Sequence, residues 1–153
     1  MFLQRQLGVD TMNKTQQRAV NYANEINSMI SITQDNQDKM DPYYEKLKTA
    51  IADNKVADIS AADYKKTQTE FQTGTDHYKK ALINLKNAKA PARLIGNHHI
   101  LSSAYQQFVD GCQMMCDSLG DDKKVNVEMF HDAEKAQDEA TDRMSRAIQK
   151  IMA

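Results

Sequence analysis

Two stretches of the chain return a core-type side chain at alternating steps of four and three residues. One runs Tyr64, Gln68, Phe71, Thr75, Tyr78, Leu82, Leu85; the other runs Leu94, His98, Leu101, Tyr105, Phe108, Cys112, Met115, Leu119. Steps of this kind average about 3.5 residues per return, the spacing at which helices lie almost side by side with interlocking side chains. No alternation of period two competes with them, so the fold predicted is all-α. Five Gly and two Pro in 153 residues leave few punctuation points for a turn-rich β or Rossmann-type fold.

The remaining segments extend the pattern. Ala19, Tyr22, Ala23, Ile26, Met29, Ile30 and Met40 form a first helical stripe that Asp41-Pro42 interrupts. Proline is favourable in a first helical turn and clashes inside a helix. The spacing therefore predicts a kink or break there, followed by Tyr43, Tyr44, Leu47, Ala50 and Ile51 on a continuation. Asn54 to Ile59 reads as a loop, and Ser60-Ala61-Ala62-Asp63 resembles a capping box with Asp in place of Glu. The helix after it stops near Ala90-Pro91, because the residue before proline is pushed out of the α region. Gly120 reads as a left-handed helix cap before the solvated turn Asp121-Asp122-Lys123-Lys124. Val127, Phe130, Ala133, Ala140, Met144, Ala147, Ile148 and Ile151 mark a last helix. Long segments with short connections force antiparallel neighbours. The expectation is an antiparallel up-down bundle of four long helices, a single domain over residues 13–153. Residues 1–12 carry no helical period and read as a poorly ordered leader ahead of Met12-Asn13-Lys14, which resembles a second start.

Charge and composition remove several function classes. Twenty Lys and Arg against 21 Asp and Glu give a net charge of −1 and a sequence pI near 6.4. A dedicated nucleic-acid-binding domain is far more basic, and Lys65-Lys66 and Lys79-Lys80 form only a mild edge diluted by Glu70 and Asp76. A mean hydropathy of −0.71 and the lack of any run of about 18 apolar residues predict no transmembrane segment. The N-terminal residues lack the basic, apolar and small-residue succession of a secretory signal. With two cysteines one helical turn apart, the expected compartment is the reducing cytoplasm, export by a signal-less route being compatible with the same sequence.

Few constellations suggest chemistry. Glu128-x-x-His131 has the spacing of one half of a di-iron site, which needs a second such pair; no Glu stands three residues before His77, His98 or His99. If the last two helices fold as a hairpin near residue 123, Cys116 faces the level of Phe130 and Cys112 that of Glu134. Cys112, Cys116 and His131, with Glu128 or Glu134, then offer thiolate, imidazole and carboxylate ligands to a zinc-like ion. Against this, a cysteine on a seam behaves as a small apolar side chain. His98, His99 and Arg93 gather at one end of the middle hairpin as a candidate anion, small-ligand or haem site. The alternative makes His98 a core histidine satisfied by a carbonyl or by Asn84. Nine methionines read as core filler or as an adaptable groove. Phosphate loops, nucleophile elbows, Cys-x-x-Cys and His-Glu-x-x-His are all missing, so neither an enzyme nor a cofactor is expected.

Lys89-Ala90-Pro91 followed by His98, Leu101, Ala104-Tyr105, Phe108 and Cys112 resembles uncharacterised small helical-bundle proteins of Gram-positive bacteria, over about residues 60–119. The resemblance implies a bundle and no particular activity. The function expected is a non-enzymatic bundle acting on a protein partner or by self-association, a homodimer included. Apolar residues such as Phe2, Leu3, Tyr43 and Tyr44 that exceed what one core holds motivate it. The alternative is a metal- or small-ligand-binding bundle using Cys112, Cys116 and His131.

Overall fold

A computed structural model describes residues 13–153. It is an all-α bundle of four helices: α1 spans Lys14–Ala52, α2 Ala61–Asn87, α3 Ile95–Ser118 and α4 Val127–Met152. Short 3-10 turns at Val56–Asp58 and Ala92–Leu94 stand at the α1–α2 and α2–α3 corners. The expected leader, residues 1–12, and with it Phe2 and Leu3, lies outside the described residues. Among the described residues no helix is long and apolar enough to cross a membrane.

The helix starts follow side-chain capping. Asn13 Oδ1 accepts the Gln16 N–H at 2.8 Å while Gln16 Oε1 accepts the Asn13 N–H at 3.2 Å, a reciprocal pair that engages two orphan donors. Ser60 Oγ accepts the Asp63 N–H at 3.1 Å, as its sequence suggests. The Asp63 carboxylate instead faces Lys46 on α1 at 3.5 Å. Asn126 caps α4 through the Met129 N–H at 3.0 Å.

One expectation is narrowed and another corrected. Of the kink or break expected at Asp41-Pro42, the break is not found: α1 is helical for 39 residues with Pro42 inside it. Proline removes one backbone donor at that point, but buried side chains hold the helix on both sides, Met29 and Asn36 before it and Leu47 and Ile51 after it. Nor is Gly120 left-handed. The positive-φ residues at this corner are Asp122 (58°) and Lys123 (60°). They form the centre of a two-residue mirror-image turn of the kind that joins strands. The Lys124 N–H donates to the Asp121 carbonyl at 3.2 Å, the Gly120 N–H to the Lys124 carbonyl at 2.8 Å and the Asn126 N–H to the Ser118 carbonyl at 2.7 Å. Glycine is needed at 120 for a close approach, since a Cβ there would lie 2.5 Å from the Lys124 carbonyl oxygen.

This α3–α4 corner is fastened to the α1–α2 corner. Lys123 Nζ donates to the Ala57 and Ile59 carbonyls at 3.1 and 2.9 Å, and the Tyr64 hydroxyl donates to the Gly120 carbonyl at 2.6 Å. The buried apolar side chains divide into two clusters along the bundle. One joins Tyr22, Ile26 and Met29 to Leu82, Leu101, Tyr105 and Ala147; the other joins Leu47 and Ile51 to Tyr64, Phe71, Leu119 and Phe130.

Candidate functional site

Between the two cores every helix carries a small or polar side chain at its inward position. On α1 this is Asn36, on α2 Gly74 and Thr75, on α3 Gly111 and Cys112, and on α4 Gln137. Thr75 and Cys112 are the smallest side chains in the seams that contain them. Gln137 falls where the steps Phe130, Ala133, Ala140, Met144 require another inward residue. The two glycines let neighbouring helices come close. Asn36 Nδ2 donates to the Gly74 carbonyl at 2.7 Å and Gln137 Nε2 to the Gly111 carbonyl at 3.2 Å. A Cβ at Gly74 would strike Met40, and one at Gly111 would lie 3.0 Å from Gln137 Cγ.

A layer so built cannot fill the bundle axis, and a cavity of about 160 Å³ lies there. It is lined by Met40, Asp41 and Tyr44 from α1, Phe71, Thr75 and Tyr78 from α2, Phe108, Cys112 and Met115 from α3, and Glu134, Gln137 and Asp138 from α4. The α2 and α3 triplets are consecutive four-three steps of the sequence stripes, so the inner wall is the seam itself. Asp41 and Asp138 are exposed and Glu134 half-buried, which puts the cavity's mouth between α1 and α4.

Behind the inner wall lies an unsatisfied group. Tyr78 is 1% exposed, and its hydroxyl has no hydrogen-bond partner. Asn36, beside it, has its amide engaged by Gly74 and its carbonyl oxygen 3.4 Å from His77 Nδ1. Burial, with lesser contributions from neighbours including Cys112 and Tyr105, pushes the phenol's pKa far up, so the hydroxyl keeps its proton. Leaving a buried hydroxyl unpaired costs about 1–3 kcal/mol. Burial likewise pushes the Cys112 thiol up, with Cys116 adding to the shift.

The mouth, in contrast, is fully bonded around Glu134. Its carboxylate accepts from the Tyr44 hydroxyl, lies 3.3 Å from Lys48 Nζ and is 2.8 Å from His131 Nδ1. Burial raises the Glu134 pKa, but the hydrogen bonds from Tyr44, His131 and Lys48 outweigh it and hold the group below its ordinary value. Tyr44 is pushed up to about 12 by burial and by that same carboxylate. Lys48 also sits 5.6 Å from the centre of the Tyr44 ring, and Tyr44 stacks on Phe130 with centroids 6.1 Å apart.

The candidates for a metal part company. The levels expected from the hairpin hold, since Cys112 and Glu134 line one cavity, but the faces differ. Cys116 Sγ turns to Thr75 Oγ1 at 3.3 Å, exposed His131 turns to Glu134, and exposed Glu128 lies on another surface beside Met114 and Asp132. Among the described residues no group of three or more His, Cys, Asp or Glu is placed to hold a metal ion. Cys112, Cys116, Glu128 and His131 therefore do not form the shared site the sequence allowed. His98, His99 and Arg93 also diverge. Arg93 and His99 are exposed, whereas His98 is 6% exposed and its Nδ1 is 2.8 Å from the Tyr22 hydroxyl. His98 is thus a satisfied core histidine, its partner a tyrosine of α1 in place of a carbonyl or Asn84.

That environment gives a pH prediction. Burial, and then the neighbouring His99, lower the His98 pKa. The unfolded chain therefore takes up a proton, from about pH 6.5 downward, that the folded ring resists. The stability this group contributes is present above about pH 6.5 and is lost as pH falls towards its folded pKa. Denaturant unfolding between about pH 7.5 and 5.5 is expected to show a steeper loss for the wild type than for His98→Gln; equal slopes would remove the assignment. Glu134 acts separately, its contribution being lost only below about pH 4.3.

Tyr78, Phe71, Phe108 and Met115 are recognisable in the sequence as core; that they face a cavity is not. The legible signal was the coincidence of the smallest seam residues, Thr75 and Cys112, at one level of antiparallel neighbours, with Gln137 interrupting the last stripe. Comparison of the chain with protein families, with curated proteins and with solved structures yields no match.

Proposed function

We propose that this bundle binds a small organic molecule in the mid-bundle cavity, without transforming it. The observation that carries the reading is a cavity of about 160 Å³ that all four helices line and whose wall includes Phe71, Phe108 and Met115. A largely apolar pocket with a few convergent polar groups is the usual form of a ligand site. About 160 Å³ is close to the 150 Å³ of an engineered cavity that holds benzene, so the occupant is of that size class. Of the ligand set expected from sequence, Cys112 and Glu134 remain, as parts of the wall. The Cys112 thiol, kept protonated by burial, is a poor nucleophile, and the Thr75 hydroxyl is engaged with Cys116. These features support binding over catalysis.

The protein-partner or self-association function expected from sequence drew on surplus apolar residues. Tyr43 and Tyr44 are half-buried against the second core, which uses part of that surplus. The ligand reading is tested by amide NMR titration of the full chain with benzyl alcohol, benzylammonium and benzoate. The expected result is that at least one probe shifts Tyr44, Phe71, Thr75, Tyr78 and Cys112 together. If no probe moves these residues, or if the shifts fall elsewhere, the reading is wrong.

A further inference from the structure

The walls of the cavity also specify charge, an inference that rests on the ligand reading above. No Lys or Arg is among the lining residues, whereas three carboxylates are. Glu134 is engaged by Lys48, His131 and Tyr44. Asp41 and Asp138, one on each side of the mouth, form no ion pair among the described residues. Inside, Phe71, Tyr78 and Phe108 contribute three aromatic rings to the lining, and aromatic faces attract a cation at short range.

The lining rings and the two unpaired carboxylates together favour a positive ligand. An anion meets the field of the two uncompensated carboxylates, and a neutral molecule leaves that field unused. We propose that the occupant is a small organic monocation, an amine with an apolar body of about six to nine heavy atoms. Its body lies against Phe71 and Phe108 and its ammonium group lies towards Asp41 and Asp138.

Isothermal titration of the full chain at low ionic strength, with the same three probes, separates this proposal from the ligand reading. Benzylammonium is expected to bind about tenfold tighter than benzyl alcohol, the summed effect of exposed charges of modest individual strength, with no measurable binding of benzoate. The exposed double variant Asp41→Asn/Asp138→Asn should keep the affinity for benzyl alcohol and cut the ammonium advantage to about twofold or less. Should benzyl alcohol bind as well as benzylammonium, the cavity binds ligands but the charge assignment is overturned. An ammonium preference that survives the double variant overturns the role of the rim. Failure of all three probes to bind removes the cavity reading and this proposal with it.

Discussion

Phe130→Ala is expected to lower unfolding stability by about 3–5 kcal/mol, the usual range for emptying a buried phenylalanine site. Phe130 is 0% exposed, lies in the core that holds Leu47, Tyr64 and Leu119, and carries the stacked ring of Tyr44. For a domain of this size the loss corresponds to a fall of about 10–15 °C in Tm. Its distribution is the sharper test. The two apolar cores are separated by the polar middle layer, so the damage should remain largely in one half. Native-state hydrogen exchange should show amides near Leu47, Tyr64 and Leu119 losing more protection than those near Ile26, Leu101 and Ala147. Equal loss in both halves would show that the bundle opens as one unit in spite of the cavity.

Cys112→Leu should act in the opposite direction on stability and abolish binding. Cys112 is 6% exposed, lines the cavity and is protonated, so its replacement by a larger apolar side chain sacrifices no charge. Filling the void should raise stability by about 0.5–2 kcal/mol, read as a higher denaturant midpoint. The same atoms occupy the ligand's place, and benzylammonium affinity should fall at least about hundredfold. The smaller step Cys112→Val should give an intermediate result on both scales and guards against overpacking, which destabilises. A variant that is less stable yet binds normally would show that the ligand lies elsewhere. Gain in one property with loss of the other is what a cavity maintained for binding produces, since an unfilled core otherwise has no advantage.

The helices were readable because an apolar stripe has to return to the same face. The seams Tyr64 to Leu85 and Leu94 to Leu119 placed α2 and α3 to within a few residues. Departures from expectation came where tertiary contacts overrode local preference. Pro42 weakens one turn, but packing at Asn36 and Leu47 carries α1 through it. Gly120 carries the usual signature of a helix end, yet the turn takes its left-handed residues from Asp122 and Lys123. The ligand cluster of Cys112, Cys116 and His131 failed on azimuth: the hairpin fixed their heights along α3 and α4 but not the directions they face. The cavity was hidden for a related reason. Each helix alone shows an ordinary seam, and a void exists only when four small or polar positions arrive at one height, which depends on the relative shift of separate helices. Tyr44 and Glu134, whose contact bridges α1 and α4, are 90 residues apart in the chain.

The two-residue reversal at Asp122-Lys123 also bears on the order of assembly. The α3–α4 connection, residues 119–126, is about as short as the other two, and the entropy of closing a loop rises with its length. Helical hairpins joined this way gain their contacts early, because little chain has to be brought together. The latch from Lys123 to Ala57 and Ile59 spans more than sixty residues and can close only after the first two helices have arrived.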